Sequence, residues 1–400
     1  MTVRTGLRVA CTAALLLGSL ISAIPASAAA TTYQVEVGAP LFALPQANGA
    51  PADGMRFYAP PLNVHKGDVI TFTMQGFHSA TLLPANVDAD QWVATNALGP
   101  GKPYSFVVPD PDEGVTGVKA NNAVALPPAS GCGDATDPCG YDGTQVVNSG
   151  LLPRDFTAKK FTFSVMINAN PGTKISVLCL IHLAMRLDIA VVADTETATT
   201  QDEIDAFAGQ MAVRDARQAS KAHLNLLAMV KTSGHGTLDA FVGYDGDHFA
   251  LDAMYPKKLE LRKGQRVTWH FDQLAFEDHT VTFPQKRGVR IANNSLIPFC
   301  DPDGDAGTMS DGPANPDATT PAEACPDIDR IEFDISPNFG PPAGDGVVTS
   351  TKDFESSGLE GANAGLNDPY TLKFAKRTTE RPYTFVCMIH PFMHGKVLVG

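Results

Sequence analysis

Two stretches of the chain alternate apolar and polar residues in the same order. Leu62 and Val64 flank Asn63, and Leu259 and Leu261 flank Glu260, the period of two expected of a strand with one buried face. Each stretch runs into a Lys-Gly turn signal, Lys66-Gly67 and Lys263-Gly264, and a tyrosine, Tyr58 or Tyr255, stands nine residues before that glycine. A β-branched and aromatic run follows each turn, Val69-Ile70-Thr71-Phe72 and Val267-Thr268-Trp269, and predicts a second strand. A histidine comes next in both copies, His78 in FHSATLLP and His279 in EDHTVTFP. About a hundred residues later a second shared block begins, ISVLCLIHLAMRLDIAVV from Ile175 and YTFVCMIHPFMHGKVLVG from Tyr383. Both read as a strand, then Cys-x2-His-x2-Met, then a last strand. The chain is therefore an internal repeat.

Between the copies the pattern changes period. Thr200 and Glu203 are spaced as a capping box, and Ile204, Phe207, Ala208 and Met211 fall on one helical face. This predicts a helix from about residue 200 to about His223. The repeat and the helix together predict two homologous β-domains, 29–197 and 233–400, joined by a helical linker at 198–232. No segment alternates strand and helix, so the fold class is all-β and not a parallel α/β sheet. The 35 glycines and 30 prolines among 400 residues fit many turns and short strands.

The N-terminus follows neither pattern. Arg4 and Arg8 precede an apolar run from Val9 to Ile24, and Pro25-Ala26-Ser27-Ala28 places small residues before a cleavage point. Residues 1–28 read as a secretory signal peptide cut after Ala28, and no later stretch has the apolar length of a membrane span. Cleavage would take the formal charge from −13 to −15, since two arginines and no acids leave. So acidic a chain lacks the basic footprint for nucleic acid or an anionic membrane surface. Of the seven cysteines, Cys11 leaves with the signal. In an oxidising compartment Cys132 with Cys139, and Cys300 with Cys325, are spaced as two local disulfides. That leaves Cys179 and Cys387, the two inside the repeated motif.

A thiolate, two imidazoles and a thioether suit copper cycling between its two oxidation states, and a trigonal His2Cys set with a weak axial Met is the electron-transfer geometry. Cys, His and Met of each motif share one tight loop, and His78 or His279 is placed to supply the fourth ligand from a neighbouring loop. CMIHPFMHGKVLV, from Cys387, resembles the copper loop of the amicyanin and plastocyanin relatives in the cupredoxin (type 1 blue copper) family. VTWHFDQLAFEDHTVTF, from Val267, resembles the strand and loop that carry that family's first histidine. The likeness covers the two ends of each domain and not the long middle segments. It implies two Greek-key cupredoxin sandwiches with two type 1 coppers, site one at His78, Cys179, His182 and Met185, and site two at His279, Cys387, His390 and Met393.

There are departures. Where the family commonly has Asn after its first histidine, Ser79 and Thr280 stand here, and Leu183 replaces at site one the proline that site two keeps as Pro391. Differences around the ligands tune potential, so two unequal coppers are expected. Asp301-x-Asp303-x-Asp305 has the alternating oxygens of a calcium loop but lacks the closing bidentate Glu; a solvated acidic loop is its default reading. His65, His223, His235, His248 and His270 show no ligand spacing, while His394 adjoins Met393.

Histidine arithmetic limits the chemistry. A multicopper oxidase cluster needs His-x-His pairs and a His-Cys-His run, and none of the ten histidines forms either. The expected function is therefore an exported tandem cupredoxin that carries single electrons to or from a redox protein partner, one whose basic surface would suit the negative charge. Leu183-Ala184 and Pro391-Phe392 would form apolar docking patches around the second histidines. The alternatives are copper sequestration or delivery in the cell envelope, and a nitrite reductase-like copper oxidoreductase with an extra interfacial copper.

Overall fold

A computed structural model describes residues 30–99, 101–109, 118–128, 130–151, 161–230, 237–271, 277–295, 299–300, 312–313, 331–332, 342–361, 368–378 and 381–400. The signal sequence, the aspartates of the candidate calcium loop, Cys325, the Cys300 side chain and His235 lie outside the described residues.

The two copies fold alike, as Greek-key β-sandwiches. In the first, one sheet is ordered Ala52–Phe57, Thr32–Ala39, Val69–Met74, Phe161–Ile167 and Cys139–Tyr141. Its partner sheet is ordered Leu62–Val64, Arg186–Val191, Lys174–Leu178, Thr81–Leu82 and Val147–Asn148. The second copy repeats this, with Met254–Tyr255, Thr237–Val242, Arg266–Phe271, Tyr370–Phe374 and Val347–Val348 facing Lys258–Leu261, His394–Val399, Tyr383–Val386, Thr282–Phe283 and Glu355–Ser356. Both alternating stretches are strands whose apolar positions face inward: Leu62 and Val64 are buried around exposed Asn63, and Leu259 and Leu261 around exposed Glu260. In each sandwich the inner faces of both sheets close one core. Phe72, Phe163 and Val177 meet in the first, and Trp269, Phe374 and Phe385 in the second. The Cys132–Cys139 disulfide is formed, fastening a loop to the edge of the first sandwich.

The helix runs Gln201–Val230, one to two turns beyond the predicted end. Its capping box is present: the Thr200 amide donates to Glu203 Oε2 (2.8 Å) and the Glu203 amide to Thr200 Oγ1 (3.3 Å). Leu226 accounts for the extra length, because it is buried in the same cluster as Tyr255 and Leu251 of the second half. Ala216 and Ala219 pack in that cluster against Leu41 and Tyr58 of the first half. Arg56, on a first-half strand, donates to buried Asp215 of the helix (2.8 and 3.2 Å).

A further connection crosses between the halves. Strand Phe249–Leu251, from the second repeat, pairs antiparallel with Ala52–Phe57 and extends the first repeat's sheet by one strand. The loop residues on either side of it, including Asp245 and Asp252, are thereby carried to the first sandwich.

Candidate metal centres

Each Cys-x2-His-x2-Met segment is a closed loop at a strand end. The Cys179 amide donates to the Met185 carbonyl (3.2 Å), and the Met185 amide to the His182 carbonyl (2.8 Å). The same two bonds recur at 2.9 Å from Cys387 to Met393 and 2.7 Å from Met393 to His390. This closure turns Cys179 and Met185, and likewise Cys387 and Met393, into the sandwich core, where all four are buried.

The first histidine arrives from the neighbouring loop. His78 Nδ1 lies 2.9 Å from His182 Nδ1, and Cys179 Sγ lies 3.6 Å from His182 Nδ1. In the second copy His279 Nδ1 and His390 Nδ1 are 3.3 Å apart, and each is 3.9 Å from Cys387 Sγ. A trigonal metal with bonds of about 2.0 Å to nitrogen and 2.3 Å to sulfur holds its nitrogens about 3.5 Å apart and each about 3.7 Å from the sulfur. The second triad matches that spacing closely; in the first the Cys179–His182 separation matches, while the two ring nitrogens stand about 0.6 Å closer together. The donor set is one to which copper is suited, and the methionine of each loop shares the core cluster with its cysteine.

Ser79 and Thr280 do what their position demands by two contacts. Their amides donate to the cysteine sulfur, 3.3 Å in each copy. Their hydroxyls accept the amide after the cysteine, Leu180 N–H at 2.9 Å and Met388 N–H at 2.7 Å. Two loops are thus pinned to each other beneath the site.

Burial, and then the charge of the facing ring, hold His78 and His279 well below the ordinary imidazole value; burial and His182 bring His390 down to about 4. Neutral rings keep a nitrogen lone pair free to ligate. The two thiols differ. Burial pushes Cys387 up to about 11 against the amides that point at it. Burial acts on Cys179 as well, but the His182 charge and hydrogen bond, with the Ser79 amide, outweigh it and leave the thiol below its ordinary value.

The spacing of ligands in the sequence does not reveal what lies between the two triads. Glu277, two residues before His279, points its carboxylate across the junction between the halves. Its Oε1 is 3.1 Å from Nε2 of His182, and its Oε2 is 3.6 Å from Nε2 of His390. The outer edge of His182 therefore faces Glu277, with only 6% of its side chain accessible, and is not presented to a partner protein. His390 is more open, and Phe392 beside it is 60% exposed. Asp252 completes an acidic group around Glu277. Burial and the neighbouring carboxyl groups push both acids above the ordinary carboxylate range. Asp252, Glu277, His279 and His390 also offer ligand atoms within 4.8 Å of one another, but two of the four are the imidazoles of the second triad.

Two glycines back the first histidines. A Cβ on Gly38 would lie 2.3 Å from His78 Nε2, and one on Gly243 would lie 2.2 Å from His279 Nε2. Both have positive φ, +76° and +66°. A signal for them exists in the sequence, since the same Val-Gly pair, Val37-Gly38 and Val242-Gly243, stands at the C-terminal end of the first strand of each copy, Gly38 one residue before the strand's end and Gly243 one residue after it. Among the described residues, His65 meets the Glu196 carbonyl, His223 the Tyr255 hydroxyl, and His270 Asp239, while His394 is exposed.

No family model and no curated protein matches the chain. Among solved structures it is similar to the Cu(I) form of an amicyanin mutant, at 15% identity and a TM-score of 0.18, over 43% of this chain and 89% of that one. It is similar also to auracyanin A, a "blue" copper protein from the green thermophilic photosynthetic bacterium Chloroflexus aurantiacus, at 18% identity and a TM-score of 0.22, over 41% of this chain and 98% of that one.

Proposed function

We propose that this chain is an exported tandem cupredoxin that binds one type 1 copper per repeat and carries single electrons. The observation that carries the reading is the twofold recurrence of a buried His, Cys, His triad, each with a methionine locked into the cysteine's own loop. His78, Cys179, His182 and Met185 would hold one copper, and His279, Cys387, His390 and Met393 the other. Copper so held supplies one-electron exchange.

The chain's own residues supply the rest. The sandwich fixes the cysteine and the methionine before any metal arrives, through the amide bonds that close each loop. The Ser79 and Thr280 amides stabilise the thiolate form of the cysteines. Burial of His78, Cys179, His279 and Cys387 keeps water from them and holds the rings of His78 and His279 neutral. A donor set this rigid changes little when its charge state changes, which favours fast electron exchange over ready release of the metal. No helix among the described residues is long and apolar enough to cross a membrane, and the N-terminal sequence supports export.

Copper loading with a visible spectrum tests the reading. The full chain should take up two coppers and show intense thiolate-to-copper absorption, and Cys179→Ala or Cys387→Ala should each remove about half of it. A colourless loaded protein would refute electron transfer. Rapid loss of copper to a competing chelator would support storage or delivery instead, and a third tightly held copper would support an oxidoreductase.

A further inference from the structure

Glu277 is shared by the two candidate centres. Its carboxylate has two oxygens, and each faces the outer nitrogen of a different ring, one on each repeat: His182 at 3.1 Å and His390 at 3.6 Å. Both rings turn the opposite nitrogen, Nδ1, toward their own cysteine. The Glu277 backbone is itself held. The Glu277 amide donates to Asp245 Oδ2 (3.0 Å), and the Glu277 residue is 91% removed from solvent. Strand Phe249–Leu251, paired into the first repeat's sheet, anchors the loops on which Asp245 and Asp252 stand. A second-repeat side chain thereby reaches a first-repeat ligand by a fixed route.

We infer that Glu277 is the common positioning residue of both metal sites, so that copper affinity at one repeat depends on a side chain of the other. The inference rests on the copper reading above. The physical reason is tautomer control: the carboxylate lies within hydrogen-bond distance of His182 Nε2 and at an ion-pair distance, 3.6 Å, from His390 Nε2, so it favours the proton on Nε2 of both rings, by a hydrogen bond at the first and by charge alone at the second, and leaves each Nδ1 lone pair free for metal. Partners of this kind ordinarily serve one ligand each, and their loss costs about 10–100-fold in metal affinity. A single carboxylate spanning two ligands makes one substitution act at two sites.

The test uses the full chain in two backgrounds, Cys387→Ala to leave only site one and Cys179→Ala to leave only site two. Copper(I) affinity is measured by competition with a chromogenic chelator in each, with and without Glu277→Ala. The expected result is a loss of about 10–100-fold at both sites. Glu277→Gln, close in volume, keeps one accepting oxygen and turns an N–H2 toward the other ring. It should weaken one site strongly and the other little. Pulsed electron paramagnetic resonance of the copper(II) forms gives a readout that a purely structural role would not move. The remote-nitrogen couplings of His182 and His390 should shift in Glu277→Ala, because Nε2 of His182 loses its acceptor and Nε2 of His390 the negative charge facing it. The inference is overturned if wild-type protein binds two coppers while Glu277→Ala changes affinity at one site or at neither. Should Glu277→Ala fail to fold, unchanged affinities at both sites in Glu277→Gln overturn it equally. If the wild-type chain binds no copper, the parent reading falls and this one with it.

Discussion

Gly243→Ala isolates the demand that the second site makes on the backbone behind it. The added Cβ would stand 2.2 Å from His279 Nε2, with Cδ2 and Cε1 of the same ring next nearest, whereas ordinary contacts begin at 3.4 Å. The ring must therefore withdraw by about 1.2 Å, several times the ~0.2 Å tolerance of a metal–ligand distance. The backbone carries its own cost, because φ is +66° and an L side chain there costs about 1–2 kcal/mol. Overpacking against a buried ring adds about 1–3 kcal/mol. Gly264→Ala separates the two contributions: its φ is +88°, but nothing lies within 4 Å of the new methyl. In the Cys179→Ala background, copper titration followed by thiolate absorption should show Gly243→Ala at least tenfold weaker and Gly264→Ala unchanged. Thermal melts should show both destabilised, Gly243→Ala the more. Copper affinity within twofold of the parent for Gly243→Ala, or an equal loss in Gly264→Ala, would refute the reasoning. Gly38→Ala should act alike at site one, with a larger stability cost, because its Cβ meets the Gln75 carbonyl at 2.5 Å as well as the His78 ring.

Two other predictions concern stability in the metal-free protein. Asp215 is fully buried and takes both hydrogen bonds from Arg56, so Asp215→Ala strands a guanidinium and should cost about 3–5 kcal/mol in urea unfolding; a loss below 1 kcal/mol would show that the helix docks without this pair. Burial, opposed by the Asp368 amide and reinforced by the Asp368 charge, raises Glu360 from its ordinary 4.5 to about 7. Between these values the folded state holds a proton that the unfolded state has released. The contribution of Glu360 is therefore complete below pH 4.5 and disappears as pH rises through 7. Melting temperature should fall over that window, and Glu360→Gln should flatten the slope; an unaltered slope would remove Glu360 as its source.

Local chemistry was legible in the linear chain, and the relations between the halves were not. Alternation at Leu62–Val64 and Leu259–Leu261 determined strands, because a period of two can bury only one face. The spacing Cys-x2-His-x2-Met determined that three donors share one closed loop, a matter of seven residues of backbone. The repeat placed His78 and His279 at equivalent positions, and the fold brought each to its own cysteine. Three features needed the tertiary structure. The helix outran its predicted end at His223 because Leu226 finds a pocket on the other half, a contact that propensity cannot foresee. Strand Phe249–Leu251 joined the first repeat's sheet, which no pattern within the second repeat specifies. Glu277, one of two adjacent acids in FEDHTVTF, acquired its place from His182, a residue of the other repeat. Both Glu277 and Asp278 are buried, but which of them meets the rings of the two triads depends on how two sandwiches dock, and docking is decided by contacts between residues far apart in the chain.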